Sequence, residues 1–310
     1  MRYIIGVDLG GTQIRVGLST LEGEILKEER TLTLAAEGPE AVIGQIVDLV
    51  ALVRKDVPEG GEVLGIGIGS PGPLDPFTGV VFNQPNMTGW VDVPLRDELA
   101  ARTGLPVELG NDANAAGLGE WLYGGGKGTR NMVYVTISTG IGVGVIADGR
   151  LLLGHKGSAA EGGHHIIDWQ TRETWENLAA GAGVARAAAA LMPSYPDSLL
   201  HKLTESETLR ADHVTAARRQ NDPLAVKLME REGDLIGVGL VNILYMYSPE
   251  LILLGGGIVT HNPYLIEHAT KVIRENVFAA YQDVPVRLAE LGGRAGLLGA
   301  VALYATKVSA

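Results

Sequence analysis

The first part of the chain alternates short apolar stretches with glycine turns. Branched apolar residues are concentrated in residues 3–8, 13–19 and 24–31, and glycine occurs in each of the two turns between them. Short runs of branched residues bounded by glycine are typical of β-strands joined by tight turns. The pattern therefore predicts an antiparallel meander of three strands.

A helical period follows the meander. In residues 39–54 apolar side chains recur every three or four positions, as on the buried face of a helix, and residues 63–68 then form a short apolar strand. Residues 95–102 are predicted as a second helix and residues 105–109 as a strand. Asp112, which follows that strand, is predicted to cap the next helix.

The opening pattern returns near the middle of the chain. The stretches IIGVDLGGTQIRVGLSTLEGEIL and VYVTISTGIGVGVIADGRLL both contain a strand, a turn with glycine and threonine, a second strand and a polar turn. Hairpins with glycine turns are common, so two unrelated hairpins also explain the pattern. A duplication predicts two domains built on one plan, with a cleft between them where small ligands bind.

Composition restricts the class of protein. A chain of 310 residues, 46% hydrophobic and 20% charged, has room for two globular domains. The formal net charge of −11 and the lack of basic runs argue against a nucleic-acid partner. The absence of cysteine excludes disulfides, iron–sulfur clusters and thiolate nucleophiles, and the cytoplasm is the expected compartment.

The sequence also argues against a membrane partner. The start of the chain lacks the apolar core and cleavage site of a signal peptide. The longest apolar candidate, residues 235–247, is only 13 residues long, whereas a membrane-spanning helix needs about 20 residues. This segment is predicted to be a buried helix.

Three glycine turns are candidate phosphate-binding loops. They lie in residues 8–12, 138–142 and 255–258, and each follows a predicted strand. Glycine lets backbone N–H groups approach phosphate oxygens, although a glycine turn alone often serves only the chain reversal. None of the turns matches the P-loop pattern, and the glycine run at residues 65–72 is not followed by the helix of a dinucleotide-binding fold.

Several sequence motifs occur along the chain in the order DLGGT, GIGSPGPLD, FNQPNMTGW, NDANAAGLGEW, STGIGVGV, EGGHH, LLGGGIV and RAGLLGA. Together they resemble the motifs of the ROK family of sugar kinases. The resemblance implies an actin-like α/β ATPase fold, with two ribonuclease-H-like domains and a cleft where ATP and a hexose meet.

We place the smaller domain in residues 1–112 plus 295–310 and the larger in residues 113–294. The family also implies a homodimer or homotetramer. Some members carry an N-terminal DNA-binding domain, which we do not expect because the first strand begins near residue 3.

By this resemblance, Asp112 is the catalytic base, which orients the attacking hydroxyl and takes its proton. A capping role alone is the alternative, and one carboxylate can serve both roles. The residues matching the family's sugar contacts are Gly72, Asn86, Asn111, Asp112, Glu161, His164 and Glu176.

The glycine turns are the predicted ATP site. Asp8 is the candidate Mg²⁺ ligand, directly or through water, because carboxylate oxygen is a preferred ligand of this ion. The remaining predicted nucleotide contacts are Gly10, Gly11, Thr12, Thr139, Gly140, Gly256 and Gly257.

The chain departs from the family at the zinc site. Family members hold a structural zinc through a cysteine-rich loop after the histidine of EGGHH, and this chain has no cysteine, so we expect no zinc. A substitute site of His164, Asp168 and a glutamate is a conceivable alternative. We expect Trp169 and Trp175 to hold the shortened loop by packing. An extended conformation here would send His164 and His165 to opposite faces.

The expected function is ATP- and Mg²⁺-dependent phosphorylation of a hexose, glucose to glucose 6-phosphate. The same residue types can recognise fructose, mannose, allose or an N-acetylated amino sugar. A sugar-binding regulator without turnover is the alternative of another class, and the presence of both Asp8 and Asp112 argues against it, since a binding module needs no base.

Overall fold

The computed structural model describes residues 1–84 and 87–309, without the side chain of Ser309. The predicted sugar contact Asn86 lies outside these residues. The strands are β1 (Arg2–Leu9), β2 (Gln13–Thr20), β3 (Ile25–Leu32), β4 (Glu62–Ser70), β5 (Leu74–Asp75), β6 (Val80–Val81), β7 (Val107–Asn111), β8 (Met132–Ile137), β9 (Ile141–Ala147), β10 (Arg150–Leu151), β11 (Ile166–Asp168), β12 (Glu173–Thr174), β13 (Leu251–Gly255) and β14 (Val286–Leu288). The helices are α1 (Pro39–Arg54), α2 (Leu95–Thr103), α3 (Asp112–Tyr123), α4 (Trp175–Ala179), α5 (Gly181–Leu191), α6 (Leu199–Leu203), α7 (Ala211–Arg219), α8 (Pro223–Tyr247), α9 (Gly257–His261), α10 (Tyr264–Asn276) and α11 (Ala295–Ser309).

The chain forms two compact units. The first comprises Met1–Gly128, Arg150–Ala160 and Gly293–Ala310, and the second comprises Thr129–Gly149 and Glu161–Gly292. These boundaries differ from the predicted ones, because α3 belongs to the first unit, where it packs against α11. The predicted boundary after residue 112 would separate α3 from that partner.

The first unit is built on a five-stranded sheet in the order β3-β2-β1-β4-β7. β1 and β2 are antiparallel, as are β2 and β3, so the predicted meander is confirmed. β4 runs parallel to both β1 and β7. The carboxyl ends of β1, β4 and β7 therefore lie along one edge of the sheet.

Both faces of this sheet are covered by helices. Ile5 and Val7 of β1 belong to the apolar core that α1 shares, whereas Ile4 packs with Val301 of α11. Successive side chains of a strand point to opposite faces, so β1 is buried on both sides. The predicted helix over residues 39–54 is confirmed as α1, whose apolar positions face this core.

The second unit repeats the arrangement around its own sheet. β9, β8, β13 and β14 lie side by side in that order. β8 is antiparallel to β9 and parallel to β13, and β13 is parallel to β14. The central strand β8 thus has the same pairing as β1, with its hairpin partner on one side and a parallel strand on the other. The repeated sequence pattern accordingly forms the same kind of sheet in each unit.

The long helix α8 contains the apolar segment 235–247. None of the helices in the described part of the chain has the length and apolar character needed to cross a membrane. The prediction that this segment is a buried helix holds for one of its faces, whereas Tyr245 and Met246 are 40% and 56% exposed. α8 is an amphipathic helix, so only one of its faces can be in the core.

Candidate active site

The edge where β1, β4 and β7 end carries the predicted residues of the first unit. In the sheet register Asp8 pairs with Gly69, and Ser70 pairs with Asn111. Gly72 follows β4, and a Cβ at Gly72 would lie 3.2 Å from Nδ2 of Asn111. Polar residues after parallel strands meet at one sheet edge, which is where ligands bind in open α/β sheets.

The cap of α3 is Asn111 and not Asp112. The side chain of Asn111 accepts hydrogen bonds from the backbone N–H groups of Ala113, at 3.0 Å, and Asn114, at 3.2 Å. Asn111 has the extended backbone of a capping residue, whereas Asp112 already belongs to the helix. The predicted capping role of Asp112 is therefore wrong. Its Oδ1 accepts a hydrogen bond from the neighbouring Ala113 N–H, at 2.8 Å, and the residue is exposed.

Asp8 is paired with a residue that the sequence interpretation missed. Arg15 lies directly opposite Asp8 in the β1–β2 hairpin. Its guanidinium donates to Oδ2 of Asp8 from Nε, at 3.0 Å, and from Nη2, at 2.5 Å, and it also donates to the carbonyl of Gly293. The position of Arg15 follows from the hairpin register, which was the available signal.

The first glycine turn is partly used by the fold. The Gly10 N–H donates to the carbonyl of Gln13 at 3.0 Å, and the Gly10 carbonyl accepts from the Thr33 hydroxyl at 2.6 Å. Gly11 and Thr12 are exposed, and a Cβ at Gly11 would meet no atom within 4 Å. Gly11 and Thr12 are therefore the residues of this turn that are open to a ligand.

The second unit contains a cavity of about 460 Å³ beside two of the predicted glycine turns. It is bounded by the turn after β8 and by the amino ends of α5, α7 and α9. Predicted residues Thr139 and Gly257 line it. The sequence interpretation missed its other walls because α5 and α7 carry no recognisable motif. These walls include Gly181, Ala182, Leu209, Arg210, Asp212 and His261.

The two turns meet because β8 and β13 are parallel neighbours. Gly255 pairs with Thr136, and a Cβ at Gly256 would overlap the backbone of Ile137. Gly256 also has φ of +85°, a conformation that favours glycine. The backbone conformation and the close packing therefore require glycine at position 256. The contact of Gly256 with the nucleotide remains a prediction.

Glu176 lies against the second glycine turn. Its Oε2 accepts a hydrogen bond from the Ile141 N–H at 2.8 Å, and a Cβ at Gly140 would lie 2.5 Å from the same oxygen. Gly181, at the start of α5, donates its N–H to the Ser138 carbonyl at 2.8 Å. The short segment of residues 176–181 therefore contacts the turn of residues 138–141 at two points, through the Glu176 side chain and the Gly181 N–H.

Glu161 and His164 are joined by a tight turn rather than by an extended segment. Gly162–His164 is a 3₁₀ turn, and the His164 N–H donates to the Glu161 carbonyl at 3.1 Å. The extended conformation considered from the sequence is wrong for Gly163 and His164, because both lie in this turn. A Cβ at Gly163 would overlap the carbonyl of Ile141, so the backbone of the turn packs directly on β9. Both Glu161 and His164 are exposed.

The residues considered for a substitute zinc site do not form one. Within the described residues, no group of three histidine, aspartate or glutamate side chains is placed to hold a metal ion. Asp168 instead accepts hydrogen bonds from the N–H groups of Gln170 and Thr171, at 2.9 and 3.3 Å, in the β11–β12 hairpin. The hydroxyl of Thr171 and these N–H groups lower the pKa of Asp168.

The two tryptophans predicted to support this loop differ in environment. Trp175 is completely buried, whereas Trp169 is 81% exposed. The packing role is therefore wrong for Trp169. Trp169 lies in the turn between β11 and β12, where its ring is in contact with solvent.

Comparison with known proteins agrees with the motifs. The ROK family model matches residues 4–307. The chain is 37% identical to the glucokinase of Thermotoga maritima over 98% of each chain. The structure is similar to a ROK family glucokinase from Streptomyces griseus in complex with glucose and AMPPNP, with 31% identity, a TM-score of 0.81 and coverage of 97% of this chain and 98% of that chain. It is also similar to a ROK hexokinase from Thermus thermophilus, with 30% identity, a TM-score of 0.84 and coverage of 99% of both. The predicted actin-like α/β fold is confirmed, and the chain belongs to the ROK family.

Proposed function

We propose that this protein transfers the γ-phosphoryl group of ATP to a hydroxyl of a hexose, and that glucose is its main substrate. The observation that carries the proposal is the position of Asp112. Its exposed carboxylate follows β7 at the sheet edge that also holds Gly72 and Asn111. Relatives named glucokinase align over nearly the whole chain, which supports glucose as the acceptor.

Asp112 acts as the general base of this reaction. A hydroxyl is far less acidic than a carboxylic acid, so Asp112 orients the hydroxyl and accepts its proton as the bond to phosphorus forms. Asn111 and Gly72 border the sugar on the same side. Asn111 is held in place because its side-chain oxygen is fixed by two N–H groups of α3. Asn86 is proposed as a further sugar contact.

Glu161, His164 and Glu176 recognise the sugar hydroxyls. Two carboxylates and an imidazole supply acceptors and donors for several hydroxyl groups. Glu176 already accepts one hydrogen bond from Ile141, which fixes the carboxylate and leaves its other oxygen for a hydroxyl. These contacts suit several hexoses, so the order of preference among them has to be measured.

The cavity beside Thr139 and Gly257 is the proposed nucleotide site. Small residues at the start of α5 give it a wall on which a flat base can lie, and Arg210 and Asp212 supply polar groups at the rim. Thr139, Gly140, Gly256 and Gly257 present backbone N–H groups near the phosphates. Gly10, Gly11 and Thr12 are further proposed nucleotide contacts.

Asp8 is suited to holding Mg²⁺ through water. Its Oδ2 is bonded to Arg15, and this guanidinium disfavours a second cation on the same oxygen. Oδ1 is the oxygen that remains for a metal-bound water, and Mg²⁺ usually keeps several waters. Bound Mg²⁺ would neutralise charge on the phosphates during transfer.

The test is an ADP-release assay with ATP and Mg²⁺ across glucose, mannose, fructose, allose and N-acetylglucosamine. We expect kcat/KM to be highest for glucose. A higher kcat/KM for another sugar would change the proposed substrate but not the type of reaction. Absence of turnover with every sugar, and with polyphosphate as an alternative donor, would contradict the kinase function and favour a sugar-binding regulator.

We further propose that the protein forms a homodimer or homotetramer. Tyr245 and Phe278 of the second unit are 40% and 71% exposed and their rings are in contact, which supports this proposal, since contiguous exposed apolar surface often marks an interface. Light scattering at micromolar concentration tests it, and a monomeric mass would contradict it.

A further inference from the structure

The indole of Trp175 lies directly on the backbone of α8 at Gly239. A Cβ at Gly239 would overlap ring atoms of this indole, so the ring and the helix are in contact only because position 239 has no side chain. Trp175 is 0% exposed. A rigid aromatic ring pressed onto a helix backbone has little freedom to shift, because protein interiors are close-packed.

Trp175 also joins the two segments that carry the proposed sugar contacts. It immediately precedes Glu176, and its backbone N–H donates to the carbonyl of His165 at 2.8 Å. His165 follows His164, which ends the turn that begins after Glu161. Displacement of Trp175 would therefore move both segments together.

The same face of α8 contacts the second segment directly. Ile243 lies four residues after Gly239, on the same side of the helix. A Cβ at Gly162 would lie 3.2 Å from Cδ1 of Ile243. Gly239 supports the segment of Glu176, and Ile243 supports the turn between Glu161 and His164. One helix face thus contacts both segments that carry the sugar-binding groups, and β9 also packs on the turn through Val143, which a Cβ at Gly162 would meet at 2.9 Å.

We infer that Trp175, seated on Gly239 of α8, is a positioning residue for hexose binding. It holds Glu161, His164 and Glu176 in register through apolar packing, in a chain without the cysteines of a zinc loop. This inference rests on the proposed function, because it assumes that these three residues bind the sugar. The indole acts through its neighbours and does not itself contact the substrate.

The test compares two alanine substitutions on the same helix. Gly239→Ala places a methyl group against the Trp175 ring. Gly237→Ala is the matched control, since its Cβ would lie 2.5 Å from Cβ of Val272 on α10, away from the sugar-binding segments. Both substitutions crowd a helix contact, and both replace glycine by a better helix former.

We expect Gly239→Ala to raise the KM for the hexose by about tenfold or more, since small displacements of binding groups can cost on the order of 100-fold in rate. The kcat should stay within about twofold of wild type, because Asp112, the proposed base, lies outside the segments that Gly239 supports. Gly237→Ala should lower Tm without changing the KM for the hexose. Equal hexose KM values for the two variants would overturn the inference.

A double variant tests whether the effect passes through the indole. In Trp175→Leu/Gly239→Ala the smaller side chain leaves room for the methyl group. We expect the double variant to raise the hexose KM by less than the product of the two single effects, because residues in contact are not additive. Multiplicative effects would contradict the contact. If Gly239→Ala fails to fold, Trp175→Phe takes its place beside the Gly237→Ala control.

The outcomes separate this inference from the proposed function. If the wild-type protein phosphorylates none of the sugars, the proposed function fails. The hexose Kd of each variant, measured by calorimetry, then replaces KM. A weaker Kd in Gly239→Ala alone still supports the inference. No sugar binding by wild type would overturn both.

Discussion

At the residue scale, the proton of the attacking hydroxyl has to leave as the bond to phosphorus forms, and Asp112 is the residue proposed to take it. Asp112→Asn keeps the size and polarity of the side chain and removes its basicity. We expect kcat to fall by about 100-fold or more, the usual contribution of a positioned base. Binding of the sugar should persist, because the amide still offers an oxygen acceptor.

The measurement is ADP release for kcat and calorimetry for the Kd of the sugar. Asp97→Asn is a matched control, since the Asp97 side chain is 66% exposed on α2. Near-normal kcat in Asp112→Asn would remove this residue from the role of base. Loss of sugar binding would instead indicate that Asp112 contributes chiefly to the affinity for the sugar before the reaction.

A second residue-scale feature is the buried carboxyl of Glu232 in α8. Glu232 is 0% exposed, and within the described part of the chain neither of its oxygens has a hydrogen-bond partner. Burial raises the pKa of Glu232 well above its ordinary value, and the charge of Arg231 lowers it only partly. The folded protein therefore keeps a proton that the unfolded chain releases above pH 4.5.

The sign of the pH dependence follows from this difference. The stability contributed by protonated Glu232 is complete below the ordinary pKa of 4.5 and is lost as pH rises toward the folded-state pKa. Glu232→Gln removes the titration. We expect its Tm to exceed that of wild type at pH 8, by on the order of 2–4 °C for each kcal/mol regained, and the advantage to shrink toward pH 4.5.

Thermal unfolding between pH 4.5 and 8 measures this effect. Glu230→Gln, at an exposed position of the same helix, is the control and should show no such trend. A constant offset between Glu232→Gln and wild type at every pH would contradict the prediction, since it would mean that Glu232 binds protons equally in both states.

At the element scale, the first unit depends on the close crossing of α3 and α11. A Cβ at Gly119 would lie 2.7 Å from the backbone nitrogen of Gly299. The Gly299 nitrogen belongs to the backbone of α11, and the added Cβ is fixed to the backbone of α3, so the clash cannot be relieved by rotating a side chain. Gly119→Ala is expected to lower the free energy of unfolding by about 1–3 kcal/mol, the range for overpacking a core.

Gly44→Ala in α1 is the matched control. A Cβ at Gly44 would meet no atom within 4 Å, so only the helix propensity changes. We expect this variant to be more stable than wild type by roughly 0.5–1 kcal/mol. Urea unfolding of the two variants measures both values. Equal effects would show that helix propensity, and not the α3–α11 contact, determines the cost at Gly119.

At the scale of the whole molecule, the absence of cysteine predicts an active kinase without structural zinc. Protein treated with a chelator and then supplied with Mg²⁺ should recover full ADP release. Metal analysis of that preparation should find far less than one zinc per chain. One tightly held zinc per chain in active protein would contradict the prediction and would require a ligand set outside the cysteine motif.

Local patterns were enough to predict many elements of the fold. The periodicity of residues 39–54 predicted α1 with its observed bounds, and the branched runs at the start predicted the three-stranded meander. These predictions succeed because the side-chain period and the glycine turns are local properties of the chain. The ROK motifs extended the prediction to the family, which the comparisons confirm.

Other features depended on the backbone conformation, on the strand register or on contacts between distant segments. Asn111 and Asp112 are both good capping residues, and only the backbone conformation shows that Asn111 is the cap. The pairing of Asp8 with Arg15 required the strand register. The cavity near Thr139 is lined by Arg210 and other residues of α5 and α7, which no motif connects to the glycine turns.

The sequence by itself determined the class of fold, the family and the identity of the candidate reacting groups, because these follow from local periodicity and from motifs that each lie within a short segment. Only the tertiary structure decided which side chains are fixed by packing or hydrogen bonds, and which residues fix them. It placed Trp175 on Gly239, tied Glu176 to Ile141 and left Trp169 exposed. Such contacts join residues far apart in the chain, and their geometry is set by close packing, which a linear pattern does not contain.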